Sequence, residues 1–285
     1  MESRNPVFNR TEEFKRGGYA TFDAAPRGRG ASSGPSPYGY GGTPQDLSPD
    51  QLRDMYAAES AGPARTGRMT LDDVVVRTAL VFGVLVLAAG ATYTLLEPDQ
   101  LGIALIAALV GFGLAMVNSF KREPSPPLIL AYAAVEGVFV GGISLAYETR
   151  FDGIVAQAVL GTLSAFAAML GLYKIGAVRA TPKFRRMLLI AGVGYMVFAL
   201  VHLLGVMFGA WSSVYSTGGL GLLLSAVGVV LASLFLVLDF DFVESGIRNG
   251  IPQRYAWTAA FGLVVTLVWL YLEMLRLLAI LRGND

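Results

Sequence analysis

The chain has 285 residues, of which 54% are hydrophobic and only 15% charged, whereas soluble domains carry about 25% charged residues. A net charge of +1 argues against electrostatic nucleic-acid binding, and the absence of cysteine excludes disulfides, thiolate chemistry and cysteine metal sites. His202 is the single histidine, so one chain cannot assemble a histidine metal cluster or a histidine-based triad.

Residues 1–70 read as a polar tail, expected to be disordered and cytoplasmic. The stretch 27–42 is rich in Gly, Ser, Pro and Arg and buries too little apolar area to offset its chain entropy. Ser48-Pro49-Asp50-Gln51 has the pattern of a helix start, with Ser48 as N-cap and Pro49 at N1, and a short helix to about Ser60 fits it. Acids and bases nearly balance here, so no strong anionic-lipid anchor is expected from the tail. The N-terminus has no apolar signal-peptide core, which leaves the first apolar run to direct insertion.

Seven apolar runs follow, at 74–96, 101–120, 128–147, 154–175, 187–208, about 218–238 and about 257–281. Each is about 20 residues long, which at 1.5 Å per residue crosses about 30 Å of hydrocarbon. The expected fold is all-α: a seven-helix transmembrane bundle over 71–285 behind the tail. Thr70 is placed to cap the first helix, Glu97-Pro98-Asp99-Gln100 forms a tight turn, and the short link 148–153 makes the third and fourth helices a hairpin. With the N-terminus inside, the inner loops hold Lys121, Arg122, Arg179, Lys183, Arg185, Arg186, Arg248 and Arg254, while the outer loops hold only Arg150. That bias orients the chain N-inside, and seven spans then put the C-terminus outside. Gly137 and Gly141 in the third run, and Gly205 and Gly209 at the end of the fifth, have the spacing that lets helices approach closely in lipid.

Ionisable residues at membrane depth are where function is sought. Glu136 lies midway along the third run, Asp239 and Asp241 at the inner end of the sixth, and Glu273 in the seventh. An ionised carboxylate at such depth takes up a proton or finds a cation. Each has a plainer reading beside the functional one. Glu273 and Arg276 are three apart on one helical face and can form an ion pair. Asp239 and Asp241 can end their helix at the headgroup level. Glu136 and His202 can serve as helix–helix hydrogen-bonding groups. So many acids with so few bases make a proton- or cation-responsive site the functional expectation, with no catalytic residue, cofactor or resident metal. No phosphate-binding loop, H-E-x-x-H or G-x-S-x-G pattern is present. Asp241 with Glu273 mimics an intramembrane protease dyad, but the flanking motifs are missing, and no enzyme is expected.

Several segments resemble the Bax inhibitor/YccA-like family (transmembrane Bax inhibitor motif proteins). Leu238-Asp239-Phe240-Asp241-Phe242 and Trp269-Leu270-Tyr271-Leu272-Glu273-Met274-Leu275-Arg276-Leu277-Leu278 are similar to its end. Asn5-Pro6-Val7-Phe8, Leu130-Ala131-Tyr132-Ala133-Ala134-Val135-Glu136-Gly137 and Tyr173-Lys174-Ile175-Gly176 resemble its longer bacterial branch. The resemblance implies a bacterial inner-membrane protein with the last helix near the centre of the bundle. It also implies a pH-sensitive calcium leak in which acids on the sixth and seventh helices share a proton. Asp239 or Asp241 would be the first acid and Glu273 the second, where the family more often has Asp. From a turn near Asn249-Gly250, Asp241 should stand roughly 12 Å up its helix and Glu273 roughly 35 Å up the other. The expected partners are the bilayer and calcium or another cation as permeant ion, with no nucleic acid. The alternative expectation is a regulator that binds another membrane protein, such as a membrane protease or stress-response partner.

Overall fold

The computed structural model describes residues 67–97, 100–209 and 218–283. The chain divides into two units, Met1–Glu59 and Ser60–Asp285, and the described residues belong to the second. The readings of residues 1–66, including the helix start at Ser48, and of Pro98 and Asp99 lie outside the described residues.

Among the described residues seven α-helices run in chain order: α1 Leu71–Leu95, α2 Gly102–Phe120, α3 Pro126–Glu148, α4 Ile154–Lys174, α5 Pro182–Met207, α6 Gly218–Arg248 and α7 Ala256–Gly283. All seven are long and apolar enough to cross a membrane, α6 and α7 with length to spare. The protein is an all-α, multi-pass membrane protein. Its outward faces are apolar, as at Leu109, Leu160 and Ile190, because they meet lipid rather than water.

The helix starts follow from local chemistry. Thr70 closes a capping box: its hydroxyl accepts from the Asp73 amide at 3.1 Å, and Asp73 accepts from the Thr70 amide at 3.1 Å. Thr181 caps α5 through the Phe184 amide, with Pro182 at the first position. α5 therefore starts before residue 187. Lys183, Arg185 and Arg186 break the apolar run but are good helix formers that can extend toward the interface. α6 likewise continues past Leu238 to Arg248, so Asp239 and Asp241 lie within the helix and do not end it.

α7 is the central helix, packed against α1, α3, α4 and α6. One core joins Val81 and Leu85 of α1, Tyr132 and Val140 of α3 and Ala158 of α4 to Val264 and Leu275 on α7. A second joins Val74 of α1 and Leu236 and Phe240 of α6 to Ala259 and Leu270, also on α7. α5 is held by a smaller cluster, Leu188 and Tyr195 against Leu231 of α6. The first glycine pair does what its spacing suggests: a Cβ on Gly137 would lie 2.5 Å from the Leu85 carbonyl oxygen, and one on Gly141 2.4 Å from that of Ala89. α1 and α3 thus approach nearly backbone to backbone. The second pair does not form a helical face, because Gly209 lies beyond α5 in a turn with φ 70°.

The turn between α6 and α7 is tied to the chain that enters α1. The Met69 amide donates to the Ile251 carbonyl and the Gln253 amide to the Gly67 carbonyl, both at 2.8 Å. Arg77 donates to the Gln253 carbonyl at 2.8 Å, and the Gln253 side chain donates to Asp73 at 2.6 Å. Met69, 1% exposed, plugs the turn from the side.

Candidate functional site

The acids singled out in the sequence fall at different levels of the bundle. Glu273 is buried on α7 and faces the interior. Arg276, one turn further on, donates to both its oxygens at 2.9 and 2.8 Å. The Tyr195 hydroxyl of α5 donates at 2.8 Å and the Trp269 indole N–H at 3.2 Å. Arg276 also bonds to Tyr147 of α3, so the network spans α3, α5 and α7. α6 contributes an absence of side chain: a Cβ on Gly228 would lie 2.5 Å from the Tyr195 hydroxyl and 2.6 Å from a Glu273 oxygen. The ion pair legible from the i, i+3 spacing is present. The carboxylate is held by a guanidinium and two neutral donors.

Asp239 sits where α6 packs on α7. Thr266 of α7 donates a hydrogen bond to it, and its Oδ2 is buried without a hydrogen-bond partner among the described residues. Beside it is a cleft of ≈ 360 Å³, open at the end of the bundle where α2 stops and α7 begins. Asn118 and Arg122 of α2, Phe242 of α6, and Tyr255, Thr258 and Gly262 around the start of α7 line the cleft with Asp239. Lys121 lies at the same rim, so the cleft has an acid in its wall and two cations at its edge.

Asp241 points to another side of α6. Arg185 of α5 donates to it at 2.5 Å, and one turn on Glu244 accepts from the Tyr173 hydroxyl of α4. These bonds tie the end of α6 to α4 and α5. Glu136 of α3 turns toward α2, where Gly111 leaves room for it: a Cβ there would be 2.6 Å from Glu136 Oε2. Among the described residues Glu136 has no ion pair. His202 stacks on Phe198 along α5, ring centroids 5.9 Å apart.

The structure brings Glu273 and Arg276 together, and Asp241 and Arg185. The hydrogen bonds of Glu273 come from Tyr195, Trp269 and Arg276, not from another acid. Asp239 meets α7 at Thr266, seven positions before Glu273, or about 10 Å of helix rise. α7 starts only at Ala256, which lowers Glu273 to about 26 Å above the helix start, and the α6 acids still lie nearer that end. Sequence reasoning missed Tyr195, Thr266 and Gly228. A tyrosine and a threonine at mid-span, away from the interfacial belt, were the available signals, since hydroxyls in lipid need partners.

Among the described residues no group of three or more His, Asp or Glu is placed to hold a metal ion. No curated protein matches the chain. The family model described as Bax inhibitor 1 like matches residues 5–283, nearly the whole length, and the protein belongs to that family.

Proposed function

We propose that this protein is a pH-sensitive cation leak of the bacterial inner membrane, with calcium as the permeant ion and the N-terminus in the cytoplasm. The observation that carries this reading is Asp239: a carboxylate within the bilayer-spanning bundle, between α6 and α7, with one oxygen lacking a partner among the described residues and a cleft beside it. Carboxylate oxygens are the ligands calcium prefers, and an acid whose hydrogen bonding is half complete is the group whose charge state a proton can change. The groups around it are Thr266 and Gly262 on α7, Asn118 on α2, and the rim cations Lys121 and Arg122. Protonation of Asp239 would alter its attraction to that rim and its packing on α7, and shift the bundle between closed and open arrangements. Glu273 and Arg276 form a second acidic level on α7, and Glu136 a third on α3. No catalytic step enters this reading.

The test is flux. Purified protein in liposomes loaded with a calcium dye should pass calcium above the empty-liposome rate, with a rate that varies between acid and neutral pH. A rate equal to empty liposomes at every pH removes the proposal. Orientation is read separately. The chain has no cysteine, so single cysteines placed at Ser119 and at Thr149 should label from opposite sides of the membrane.

A second reading has its own observation. The chain entering α1 is hydrogen-bonded to the α6–α7 turn. A membrane protease or stress-response partner engaging residues 1–66 would therefore pull on the turn beside the cleft. Deleting those residues should abolish a cellular phenotype while flux persists; loss of both together counts against this reading.

A further inference from the structure

At the end of the bundle that carries the α6–α7 turn, three cations are matched by acids. Arg77 meets Asp73 at 3.8 Å, Arg248 meets Glu244 at 3.7 Å, and Arg254 meets Glu123 at 3.0 Å. The corner made by the end of α4 and the start of α5 differs. It carries Lys174, Arg179, Lys183, Arg185 and Arg186, and the sequence has no acid between Asp152 and Asp239. Asp241 takes Arg185 at 2.5 Å. Among the described residues the other four have no acidic partner. Lys121 and Arg122 at the end of α2 also lack an acidic partner among the described residues, but they border the cleft that holds Asp239, whereas this corner has no acid beyond the Asp241 that takes Arg185.

The shape below the charges narrows what compensates them. Lys183 and Arg186 stand three apart on α5 and share a face. Met187, Ile190 and Ala191 continue that face, and the five residues line a shallow groove that runs down α5. Met187 is 59% and Ile190 65% exposed, with no other helix over them among the described residues. From Lys183 to Ala191 the stripe is about 12 Å long. Arg179 folds back over Gly176, where the loop turns through φ 75°, which holds a further guanidinium near the same edge. Two cations directly above an apolar stripe match an anionic head joined to a hydrocarbon chain. A free anion has no use for the stripe, and an acidic protein segment would find no polar partner along it.

We propose that this corner binds an anionic phospholipid, with its phosphate between Lys183 and Arg186 and an acyl chain along Met187, Ile190 and Ala191. Charge-assisted bonds from two donors to one phosphate supply the head-group selectivity. Under the orientation given above, the lipid lies in the cytoplasmic leaflet. Its site is on the opposite side of α6 from the cleft, so the proposal stands apart from ion flux.

Native mass spectrometry of the full chain in neutral detergent reads the binding, with phosphatidylglycerol and phosphatidylcholine of matched chains as probes. The wild type should retain phosphatidylglycerol over phosphatidylcholine by about fivefold or more. K183Q/R186Q should bring that ratio near one, K183R/R186K should restore it, and K121Q/R122Q should leave it unchanged. An unchanged ratio in K183Q/R186Q overturns the proposal. Equal losses in K183Q/R186Q and K121Q/R122Q overturn it too, because any edge cation would then serve. Glycerol phosphate alone should not displace the lipid; displacement at matched concentration means a phosphate site without a chain, and the lipid proposal fails. A second measurement needs no charge variant. A bimane label on A191C should be quenched more by brominated phosphatidylglycerol than by brominated phosphatidylcholine in mixed bilayers, and equal quenching overturns the proposal.

Discussion

α7 meets two acids in two ways. At Glu273 the carboxylate is saturated: a guanidinium, a tyrosine hydroxyl and an indole N–H all point at it, and Gly228 leaves the space that lets them converge. At Asp239 one oxygen is held by Thr266 and the other is buried beside a cleft without a hydrogen-bond partner among the described residues. Both are acids in a bilayer-spanning bundle, yet only the first has the complete hydrogen bonding that makes a buried charge a fixed feature. The second is the kind of group whose charge state a conformational equilibrium can use. On the reading proposed above, Glu273 is a clamp on α7 and Asp239 a switch on α6, packed against the same helix.

The largest expected effect is on the clamp. Glu273→Ala leaves Arg276 without its acid inside the bundle, and breaking a buried pair by removing one member costs about 3 kcal/mol. Thermal unfolding in detergent should show it as a clear fall in midpoint. The double variant Glu273→Gln, Arg276→Met should recover much of the loss, since removing both charges leaves none uncompensated. A single variant as stable as wild type would make Glu273 no clamp at all.

Next comes the switch. Asp239→Asn should keep the fold, because the amide still reaches Thr266, but it removes the titratable oxygen. In calcium-dye liposomes the wild-type rate should vary on the order of tenfold between acid and neutral pH, and Asp239→Asn should hold it level. Glu273→Gln and Asp241→Asn should leave the pH dependence in place. Should Glu273→Gln flatten it and Asp239→Asn not, the assignment of clamp and switch is reversed. Dependence that survives all three substitutions leaves the acids as structural residues.

The two sites also differ in how far the sequence shows them. The seven spans are legible because lipid demands about 20 apolar residues from each, and the central place of the last helix follows the family resemblance. The end of α6 that leads into the α6–α7 turn was not legible. In the sequence Asp239 and Asp241 can end the helix at the headgroup level, yet Arg185 from α5 meets Asp241, Tyr173 from α4 meets Glu244 one turn on, and the helix continues. Glu273 with Arg276 was legible, because the pair is local on one helix. Tyr195 is 78 residues from Glu273 in sequence, and nothing local announces such a contact. The missing side chain at Gly228 is equally silent, since its meaning depends on what lies across the helix interface.

Tyr195→Phe gives a smaller effect that sharpens the clamp. It deletes one donor to a carboxylate that keeps its guanidinium, so it should cost about 1 kcal/mol. α5 has few other anchors, so the loss should appear there, as faster protease cleavage in the loop 176–181 while the α1–α3 contact stays protected. Uniform loosening would mean that α5 is not held by Glu273.

The smallest effect tests whether the two levels of α7 are independent. Gln253→Ala removes the side-chain bond to Asp73 but keeps the backbone bonds to Gly67 and from Arg77. At a partly exposed site, one such bond is worth about 0.5 kcal/mol, which corresponds to a roughly twofold rise in local opening. Amide hydrogen exchange should register that rise at Met69, whose N–H is bonded to Ile251. It should leave the amides around Glu273 unchanged, because Gln253 precedes α7 and the Glu273 network lies about 26 Å up the helix. The cleft lies between these levels, with Tyr255 and Thr258 in its wall. If exchange near Glu273 rises as much as at Met69, α7 opens as one body. Clamp and switch would then be two ends of a single cooperative element, and a proton on Asp239 would be felt at Glu273 after all.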